Sequence, residues 1–261
     1  YSESAARWFE VHHRMLAWTD GRRVRLQVAR DILDKVDAAH QINRSTSDIS
    51  GTLRLAATYT VIGYFLPYHL GRLTQLYPRI DIQILELNRQ SIEEQLLRGQ
   101  IDMAVALTSN IHREGIETLT LLKSPRRAWV PAGHAFCKCG EVSLRQIAEE
   151  PYVMLTVDEA AHSSMKYWNS YNAHPNIKLR TSSVEAVRSL VANGQAVTIL
   201  SDMVYRPWSL EGRRIETVLT DVDIPTMDVG LAFSRERALS PTMKALKTYF
   251  SSNFLSPKLQ F

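Results

Sequence analysis

Between residues 51 and 107, segments with the two-residue period of a β-strand alternate with segments that have the spacing of an α-helix. Residues 80–87, I-D-I-Q-I-L-E-L, alternate strictly. Residues 101–107, I-D-M-A-V-A-L, are almost continuously apolar, which is typical of a strand buried in a parallel sheet. The other segments are strand-like at residues 52–57 and helical at residues 62–77 and 91–98. This β-α-β-α-β order predicts a doubly wound sheet with helices on its faces.

A second series of short strands and helices follows in residues 127–254. The strands are predicted at residues 127–130, 152–155, 178–181, 196–200 and 229–233. The helices are predicted at residues 143–149, 160–171, 184–193 and 241–254. The two halves have similar strand and helix content without an obvious sequence repeat. The fold class is therefore α/β, with two Rossmann-like lobes and a ligand crevice between them.

Residues 20–42 have the pattern of one long amphipathic helix, with polar side chains opposite a single apolar stripe. The stripe consists of residues four positions apart, namely Val24, Val28, Ile32 and Val36. A helix of this length extends roughly 35 Å. Its stripe predicts pairing with the same helix of a second subunit, and packing against its own domain is the alternative. Residues 43–50, N-R-S-T-S-D-I-S, form a polar linker.

The basic residues are concentrated at the start of the chain. Six arginines and three acidic residues occur in residues 1–30, so this segment carries nearly all of the formal net charge of +4. A local arginine cluster is typical of contact with a polyanion such as nucleic acid. A solvated helix face accounts for the same cluster, so charge alone leaves both interpretations open.

The composition also bears on compartment and cofactors. No segment approaches the ~20 uninterrupted apolar residues of a membrane helix, and the N-terminus has no basic-then-apolar leader. A cytoplasmic protein without membrane contact is therefore predicted. The two cysteines, Cys137 and Cys139, have a spacing that does not favour a disulfide, and two thiols fit a reducing compartment. Together with His134 they lie too close in sequence to surround a metal, so no metal or other cofactor is expected.

Six short strings follow one another between residues 51 and 200. They are G-T-L-R-L-A (51–56), F-L-P (65–67), Y-P-R-I (77–80), L-R-G-Q-I-D (97–102), P-A-G-H (131–134) and V-A-N-G-Q-A-V-T-I-L (191–200). In this order they resemble the effector-binding domain of LysR-type transcriptional regulators. Three positions depart from the family pattern: Ala135 and Ser201 stand where proline is usual, and Ala196 stands where a second glycine is usual.

The N-terminal residues resemble the same family. Residues 8–14 and 16–20 are similar to the wing that follows its helix-turn-helix, and residues 2–6 are similar to the start of its recognition helix. The resemblance implies that residues 1–19 are a remnant of a winged helix-turn-helix domain, most of which is missing. The residues expected to contact DNA are Ser2, Ser4, Arg7, His13, Arg14, Arg22 and Arg23.

The resemblance also implies a domain division. Residues 20–43 would be the linker helix that makes a homodimer. Residues 51–261 would be the effector-binding domain, with two lobes of the periplasmic-binding-protein-like type 2 fold. Lobe I would comprise residues 51–125 and roughly 226–261, and lobe II roughly residues 126–225.

The function implied is a ligand-controlled transcription regulator and not an enzyme. The full-length protein would bind promoter DNA, and a small-molecule effector between the lobes would change how dimers pack into a homotetramer. Two alternatives share the two-lobe architecture: a solute-binding protein for transport, and an enzyme. The missing leader and the long helix count against the first. The absence of the G-x-S-x-G, G-x-x-x-x-G-K-[ST] and G-x-G-x-x-G motifs, and of an identifiable acid–base pair, counts against the second.

The candidate ligand site lies where strands end and the following helices begin. Thr58, Tyr59 and Thr60 follow the first strand, where their hydroxyls and the free N–H groups of a helix would hold a carboxylate or similar anion. N-capping of the helix by Thr60 is equally compatible with this position. Further candidates, carried over from the family by position, are Arg89, Leu107, Thr108, Thr156, Val157, Ser182, Ser183, Val184 and Ser201.

Three charged side chains near these positions have simpler interpretations. Arg89 would add positive charge to the site, but a solvated loop position is the alternative. Asp158 and Glu159 are adjacent in sequence and do not face each other, so a solvated or capping role is predicted for both.

Overall fold

The computed structural model of the chain describes residues 48–255. By its internal contacts the chain divides into residues 1–49 and 50–261, and nearly everything described belongs to the second unit. The predicted helix-turn-helix remnant, the linker helix and the seven DNA-contacting residues lie outside the described residues.

Within residues 48–255, strands and helices alternate along most of the chain. In chain order they are β1 (Gly51–Ala57), α1 (Tyr59–Tyr64), α2 (Leu66–Leu76), β2 (Ile80–Glu86), α3 (Arg89–Arg98), β3 (Met103–Leu107), β4 (Ile116–Ser124), β5 (Arg126–Pro131), β6 (Glu141–Val142), α4 (Leu144–Glu149), β7 (Pro151–Leu155), α5 (Ala160–Ser170), β8 (Asn176–Thr181), α6 (Val184–Ala192), β9 (Thr198–Ser201), β10 (Ile215–Thr220), β11 (Met227–Ser234) and α7 (Pro241–Phe254). Short 3₁₀ turns include Thr108–Asn110 and Val157–Glu159.

The first lobe is built on a five-stranded sheet with the order β2-β1-β3-β11-β4. β1 pairs in parallel with both β2 and β3, and β11 runs antiparallel between β3 and β4. All five residues of β3 are buried, as its apolar sequence predicts. Four of the seven residues of β2 are exposed in a row, because β2 lies at the edge of the sheet.

The second lobe is built on a four-stranded sheet, β6-β10-β5-β9, and a two-stranded sheet, β7-β8. Backbone hydrogen bonds of Val197 with Val153 (3.0 Å) and with Pro151 (2.8 Å) join the two sheets. Trp129 and Trp168 are fully buried and belong to the core of this lobe. The chain crosses between the lobes twice, between β4 and β5 and between β10 and β11.

Most of the predicted elements are present, with two kinds of correction. The helix predicted over residues 62–77 is two helices, α1 and α2, that meet at Phe65. Pro67 explains the break, because proline lacks an N–H and fits only the first turn of a new helix. The strands β4, β6 and β10 were not predicted. β4 has apolar residues on an irregular pattern and only three of its nine residues are buried, so its periodicity is weak.

The helix ends follow their local sequence. Gly99 closes α3 in the left-handed conformation (φ 69°), which glycine adopts without strain. Ser143 and Gln146 form a reciprocal capping box at the start of α4. Among residues 48–255, no helix combines the length and the hydropathy that a membrane crossing requires.

Candidate functional site

A crevice of about 350 Å³ lies where several parallel strands end. Its walls come from the segments that follow β1, β2 and β3 in the first lobe and from the turn that follows β7 in the second lobe. The lining residues are Thr58, Tyr59, Glu86, Leu87, Asn88, Arg89, Gln90, Ala106, Leu107, Asn110, Val157, Asp158 and Glu159. The carboxyl ends of parallel strands are the usual place for ligands in open α/β sheets, and this crevice has that position.

The carboxylate of Asp158 reaches across the crevice to the N-terminal end of α1. It accepts hydrogen bonds from the backbone N–H of Tyr59 (3.2 Å) and Thr60 (2.7 Å) and from the hydroxyl of Thr60. The N–H groups at the start of a helix have no partner inside the helix and favour negative charge. Asp158 of lobe II therefore caps a helix of lobe I.

Arg89 makes the second contact across the crevice. Its guanidinium donates to both carboxylate oxygens of Glu159, at 2.9 and 3.0 Å, and to both oxygens of Glu93, at 2.9 and 3.0 Å. Glu93 is buried, and Arg89 is the cation that compensates its charge. The hydrogen bonds to Glu159 and then to Glu93 raise the pKa of Arg89 above its ordinary value, so it stays protonated.

A third contact across the lobes lies beside α1. The hydroxyl of Tyr64 donates to Glu185 at 2.9 Å, and Glu185 also accepts two hydrogen bonds from the buried Arg188, at 3.0 and 3.1 Å. Hydrogen bonds from Arg188, helped by the one from Tyr64 and opposed by partial burial, hold the pKa of Glu185 below its ordinary value. Glu185 is therefore ionised at neutral pH and links the two lobes.

Two further cavities adjoin the crevice. An open one of about 730 Å³ lies on the other side of the Arg89–Glu159 pair and includes Thr156. Its basic lining residues are Arg89, His112, Arg113, His162 and Lys166. A small one of about 30 Å³ lies between Thr60, Val157 and Ser201. In that cavity the hydroxyl of Ser201 donates to the hydroxyl of Ser124 at 2.7 Å, which ties β9 to the end of β4.

The structure brings most of the predicted ligand residues together around these three cavities. The crevice contains Thr58, Tyr59, Arg89, Leu107 and Val157. The open cavity adds Thr156, and the small cavity adds Thr60 and Ser201.

Four predicted ligand residues do not line any of the three cavities. Thr108 is buried and its hydroxyl shares a hydrogen bond with that of Thr120 at 2.9 Å. Ser183 caps α6 by accepting from the N–H of Ala186, Val184 is fully buried in the core of the second lobe, and Ser182 is exposed.

Two of the simpler interpretations are wrong. Thr60 does not cap α1; its hydroxyl donates to Asp158, and the residue at the N-cap position is Thr58. Arg89 is not a solvated loop residue but the first residue of α3, paired with two carboxylates. The capping role predicted for Asp158 agrees with the structure, because its carboxylate accepts from the N–H groups at the start of α1. Glu159 is partly exposed and pairs with Arg89 of the other lobe.

Several crevice residues were not among those predicted from the sequence. Glu86, Asn88 and Gln90 surround the predicted Arg89, at the end of β2 and the start of α3. Ala106 and Asn110 flank the predicted pair at the end of β3. Asn88, Gln90 and Asn110 come within three residues of the end of a predicted strand, and that position was the available signal. Glu86 and Ala106 lie within predicted strands, so the sequence carries no such signal for them.

No group of three His, Cys, Asp or Glu side chains in residues 48–255 is arranged to hold a metal ion. Cys137 and Cys139 are free thiols. The imidazole of His134 accepts from the N–H of Phe136 in the turn after β5.

Residues 46–254 match the family described as the LysR substrate binding domain. The chain belongs to this family. The transcriptional regulator CysB of Burkholderia cenocepacia is 24% identical over 206 residues, which cover 77% of this chain and 65% of CysB. The chain therefore spans less than two thirds of the length of this relative.

Solved structures of LysR regulators share the fold. HinK of Pseudomonas aeruginosa, a LysR family transcriptional regulator, superposes with a TM-score of 0.72 at 24% identity, covering 86% of this chain and 78% of HinK. The regulatory domain of CcmR from Synechocystis, solved in complex with 2-PG, superposes with a TM-score of 0.70 at 18% identity, covering 80% of this chain and 99% of that domain. The predicted family and the predicted two-lobe α/β fold are confirmed.

Proposed function

We propose that this LysR domain senses a small-molecule effector in the crevice between its lobes and controls transcription through the promoter-bound full-length protein. The observation that carries the proposal is the crevice itself, which lies at the carboxyl ends of β1, β2 and β3 and is closed by residues of the second lobe. The names of the relatives, which are transcriptional regulators, support the regulatory role. They do not favour a transport protein or an enzyme.

The effector we propose carries an anionic group. Two backbone N–H groups and the Thr60 hydroxyl converge on one carboxylate at the start of α1, and the same donors suit a carboxylate, sulfonate or phosphate of a ligand. Arg89 lies in the crevice wall and stays protonated, with its charge paired to Glu159 and Glu93 in this structure. The ligand-contacting residues that we propose are the predicted ones that line the three cavities, with Thr58, Tyr59, Thr60 and Arg89 as the anion-facing group.

We propose the domain division and assembly that the sequence predicts. The strands from residues 51–124 and 227–234 form one sheet, which supports lobe I as residues 51–125 plus roughly 226–261. The amphipathic pattern of residues 20–43 supports a homodimer through the linker helix and a homotetramer of dimers. The protein would act in the cytoplasm, where DNA and metabolites meet.

The test of the crevice is ligand-induced stabilisation, because a ligand that binds the folded state raises its apparent melting temperature. The intact chain is screened against anionic, neutral and cationic metabolites. Thr58→Val is the site variant: valine has nearly the same shape, and the Thr58 hydroxyl has no hydrogen-bond partner among residues 48–255 that the change would break. We expect Thr58→Val to fold normally and to lose most of the shift.

Thr118→Val is the matched control. Thr118 is an exposed residue of β4 that lines none of the three cavities, so its ligand response should equal that of the wild type. A shift that survives both Thr58→Val and the double change Thr60→Val with Thr156→Val would place the ligand elsewhere. Turnover of the bound metabolite would instead favour an enzyme.

The regulatory part of the proposal is tested on DNA. The full-length protein should select a defined site from a random duplex pool, with an affinity that falls steeply with salt as phosphate contacts are screened. The effector found in the screen should change the length of DNA protected. A full-length protein that binds the effector but shows no preference among duplexes would contradict the proposal.

A further inference from the structure

The anion-binding end of α1 is occupied by the chain's own carboxylate. The N–H groups of Tyr59 and Thr60 and the hydroxyl of Thr60 all donate to Asp158, which belongs to the other lobe. We call these donors, with the neighbouring Thr58 hydroxyl, the anion cradle. An external anion and Asp158 would use the same donors, so both cannot occupy the cradle at once.

Thr58 supplies a second, independent observation. It is 3% exposed, it borders the crevice, and its hydroxyl has no hydrogen-bond partner among the described residues. A buried hydroxyl without a partner is costly, and most such groups in folded proteins are satisfied by protein, water or ligand. Asp158 therefore leaves one donor of the cradle unused, and a ligand with a further acceptor can use it.

The occupied state also links the two lobes. Asp158 and Glu159 both have left-handed backbone angles (φ 51° and 61°), which side chains other than glycine adopt at a cost. Asp158 is held by the cradle, and Glu159 is held by Arg89. Both partners belong to lobe I. Releasing Asp158 would therefore remove one of the contacts that keep this turn strained and the lobes joined.

We propose that Asp158 is a built-in competitor of the anionic effector and sets which anions the crevice accepts. This inference rests on the proposed function, in which the crevice is the effector site. An effector enters the cradle only by displacing Asp158, and it offsets that loss with further contacts, of which Thr58 is one. Simple anions, which lack those contacts, are excluded. Displacement of Asp158 is also the structural signal, since a ligand shifts a conformational equilibrium only through contacts that differ between the states.

The experiment uses acetate, which carries the same carboxylate as the Asp158 side chain. Binding of sodium acetate to the intact chain is measured by calorimetry and by thermal shift, with chloride replacing acetate to keep the ionic strength constant. The wild type is compared with Asp158→Ala, with Asp158→Ala plus Thr60→Val, and with Asp221→Ala. Asp221 is an exposed residue outside the three cavities, so its removal changes the net charge by the same amount without opening the cradle.

Asp158→Ala should bind acetate at least about tenfold more tightly than the wild type. Apparent affinity scales with the fraction of molecules whose site is free, and a cradle filled nine times in ten loses a factor of about ten. Asp221→Ala should bind acetate as weakly as the wild type. The added Thr60→Val change removes the hydroxyl that donates to the carboxylate in the cradle, so it should weaken the affinity gained in Asp158→Ala. Asp158→Asn, which keeps the shape and loses the charge, should be intermediate and serves where Asp158→Ala does not fold.

Three outcomes would overturn the inference. Wild type that binds acetate as tightly as Asp158→Ala would show that Asp158 does not compete. A gain equal in Asp221→Ala would assign it to net charge. A gain unaffected by Thr60→Val would place the acetate outside the cradle. A metabolite that stabilises the wild type and requires Thr58, combined with no acetate gain in Asp158→Ala, would retain the crevice as the effector site and remove only the role of Asp158.

Discussion

The Nε of Arg89, in the first lobe, donates to both carboxylate oxygens of Glu159 in the second lobe, at 2.9 and 3.0 Å. The Nη1 of Arg89 donates to both oxygens of Glu93. The two carboxylates differ in environment. Glu93 is buried, whereas the side chain of Glu159 is 38% exposed. Arg89 therefore compensates the charge of the buried Glu93 within lobe I and joins lobe I to lobe II through Glu159.

Replacing Arg89 should lower the free energy of unfolding more than replacing Glu159. Arg89→Met leaves the buried Glu93 without a cation, and we expect a loss of about 1–3 kcal/mol in the free energy of unfolding. Glu159→Gln removes only a half-exposed ion pair and should cost less than about 1 kcal/mol. Urea unfolding of both variants measures the difference. Equal losses in the two variants would contradict the conclusion that the buried Glu93 depends on Arg89 as its cation.

Glu185 should make the domain sensitive to acid. Hydrogen bonds from Arg188 and Tyr64, against partial burial, lower its pKa in the folded state. A group with a lowered folded pKa contributes stability that is complete above its unfolded pKa and is lost as the pH falls through the folded value. The loss should therefore begin below pH 4.5, the ordinary glutamate value, and end below the lowered pKa.

The variant Glu185→Gln tests this contribution. It should flatten the dependence of unfolding free energy on pH in that window, and at neutral pH it should cost roughly 1–2 kcal/mol, because the 1% exposed Arg188 loses its ionised partner. Glu117→Gln, at an exposed position of β4, should leave the slope unchanged. An unchanged slope in Glu185→Gln would contradict the prediction.

The fold could be predicted largely from the sequence because the strands of its parallel core have local hydrophobic patterns. The alternation in β2 indicates a strand, and the apolar run in β3 indicates a buried strand, without knowledge of their neighbours. β6 and β10 escaped because their pairing is decided by distant segments: Leu219 and Thr220 of β10 pair with a strand of two residues far earlier in the chain. Short strands of this kind carry little periodicity.

The positions of several candidate site residues could be predicted from the sequence, but their hydrogen-bond partners could not. Thr58, Tyr59 and Arg89 lie in the crevice because a strand must end there. That Asp158 meets the Thr60 N–H depends on how closely the two lobes approach, and the two residues are 98 positions apart. Local spacing holds no information on such a contact, which explains why the sequence predicts a solvated or capping role for Asp158 without identifying the helix that it caps.

Replacing Gly230 and Gly71 with alanine should change the free energy of unfolding in opposite directions. A Cβ on Gly230 would lie 2.2 Å from the carbonyl oxygen of Leu119 and 2.8 Å from the Cα of Thr120, both backbone atoms of the paired strand β4. Gly230→Ala should therefore cost at least about 2 kcal/mol in unfolding free energy.

Gly71 provides the matched control within the same lobe. It lies in the helix α2, where a Cβ would meet nothing within 4 Å, so Gly71→Ala should gain about 0.5–1 kcal/mol through helix propensity. Thermal or urea unfolding of the two variants checks both signs. A tolerated Gly230→Ala would mean that β11 and β4 can separate locally at the irregularity beside Val229.

His69 should make the first lobe lose stability in mild acid. It is 8% exposed, its Nδ1 lies 2.9 Å from the hydroxyl of Tyr249, and its ring packs against Phe65 and Phe250. Burial, and then the charge of Arg72, lower its pKa below the ordinary 6.5. The unfolded chain then binds a proton before the folded one does, so stability falls as the pH drops below 6.5, by at most about 1.4 kcal/mol per pH unit.

The measurement compares urea unfolding of two histidine variants between pH 7.5 and about 5, a range that spans the ordinary titration of histidine. His69→Gln keeps a hydrogen-bonding side chain beside Tyr249 and should remove this part of the slope. His174→Gln changes an exposed histidine in the second lobe and should retain the slope of the wild type. Because both variants remove one histidine, a difference between their slopes reports the buried position of His69. If the two slopes agree, the aromatic cluster at α2 and α7 admits a protonated His69 at no cost, and the packing described for that cluster would have to be more open than the structure shows.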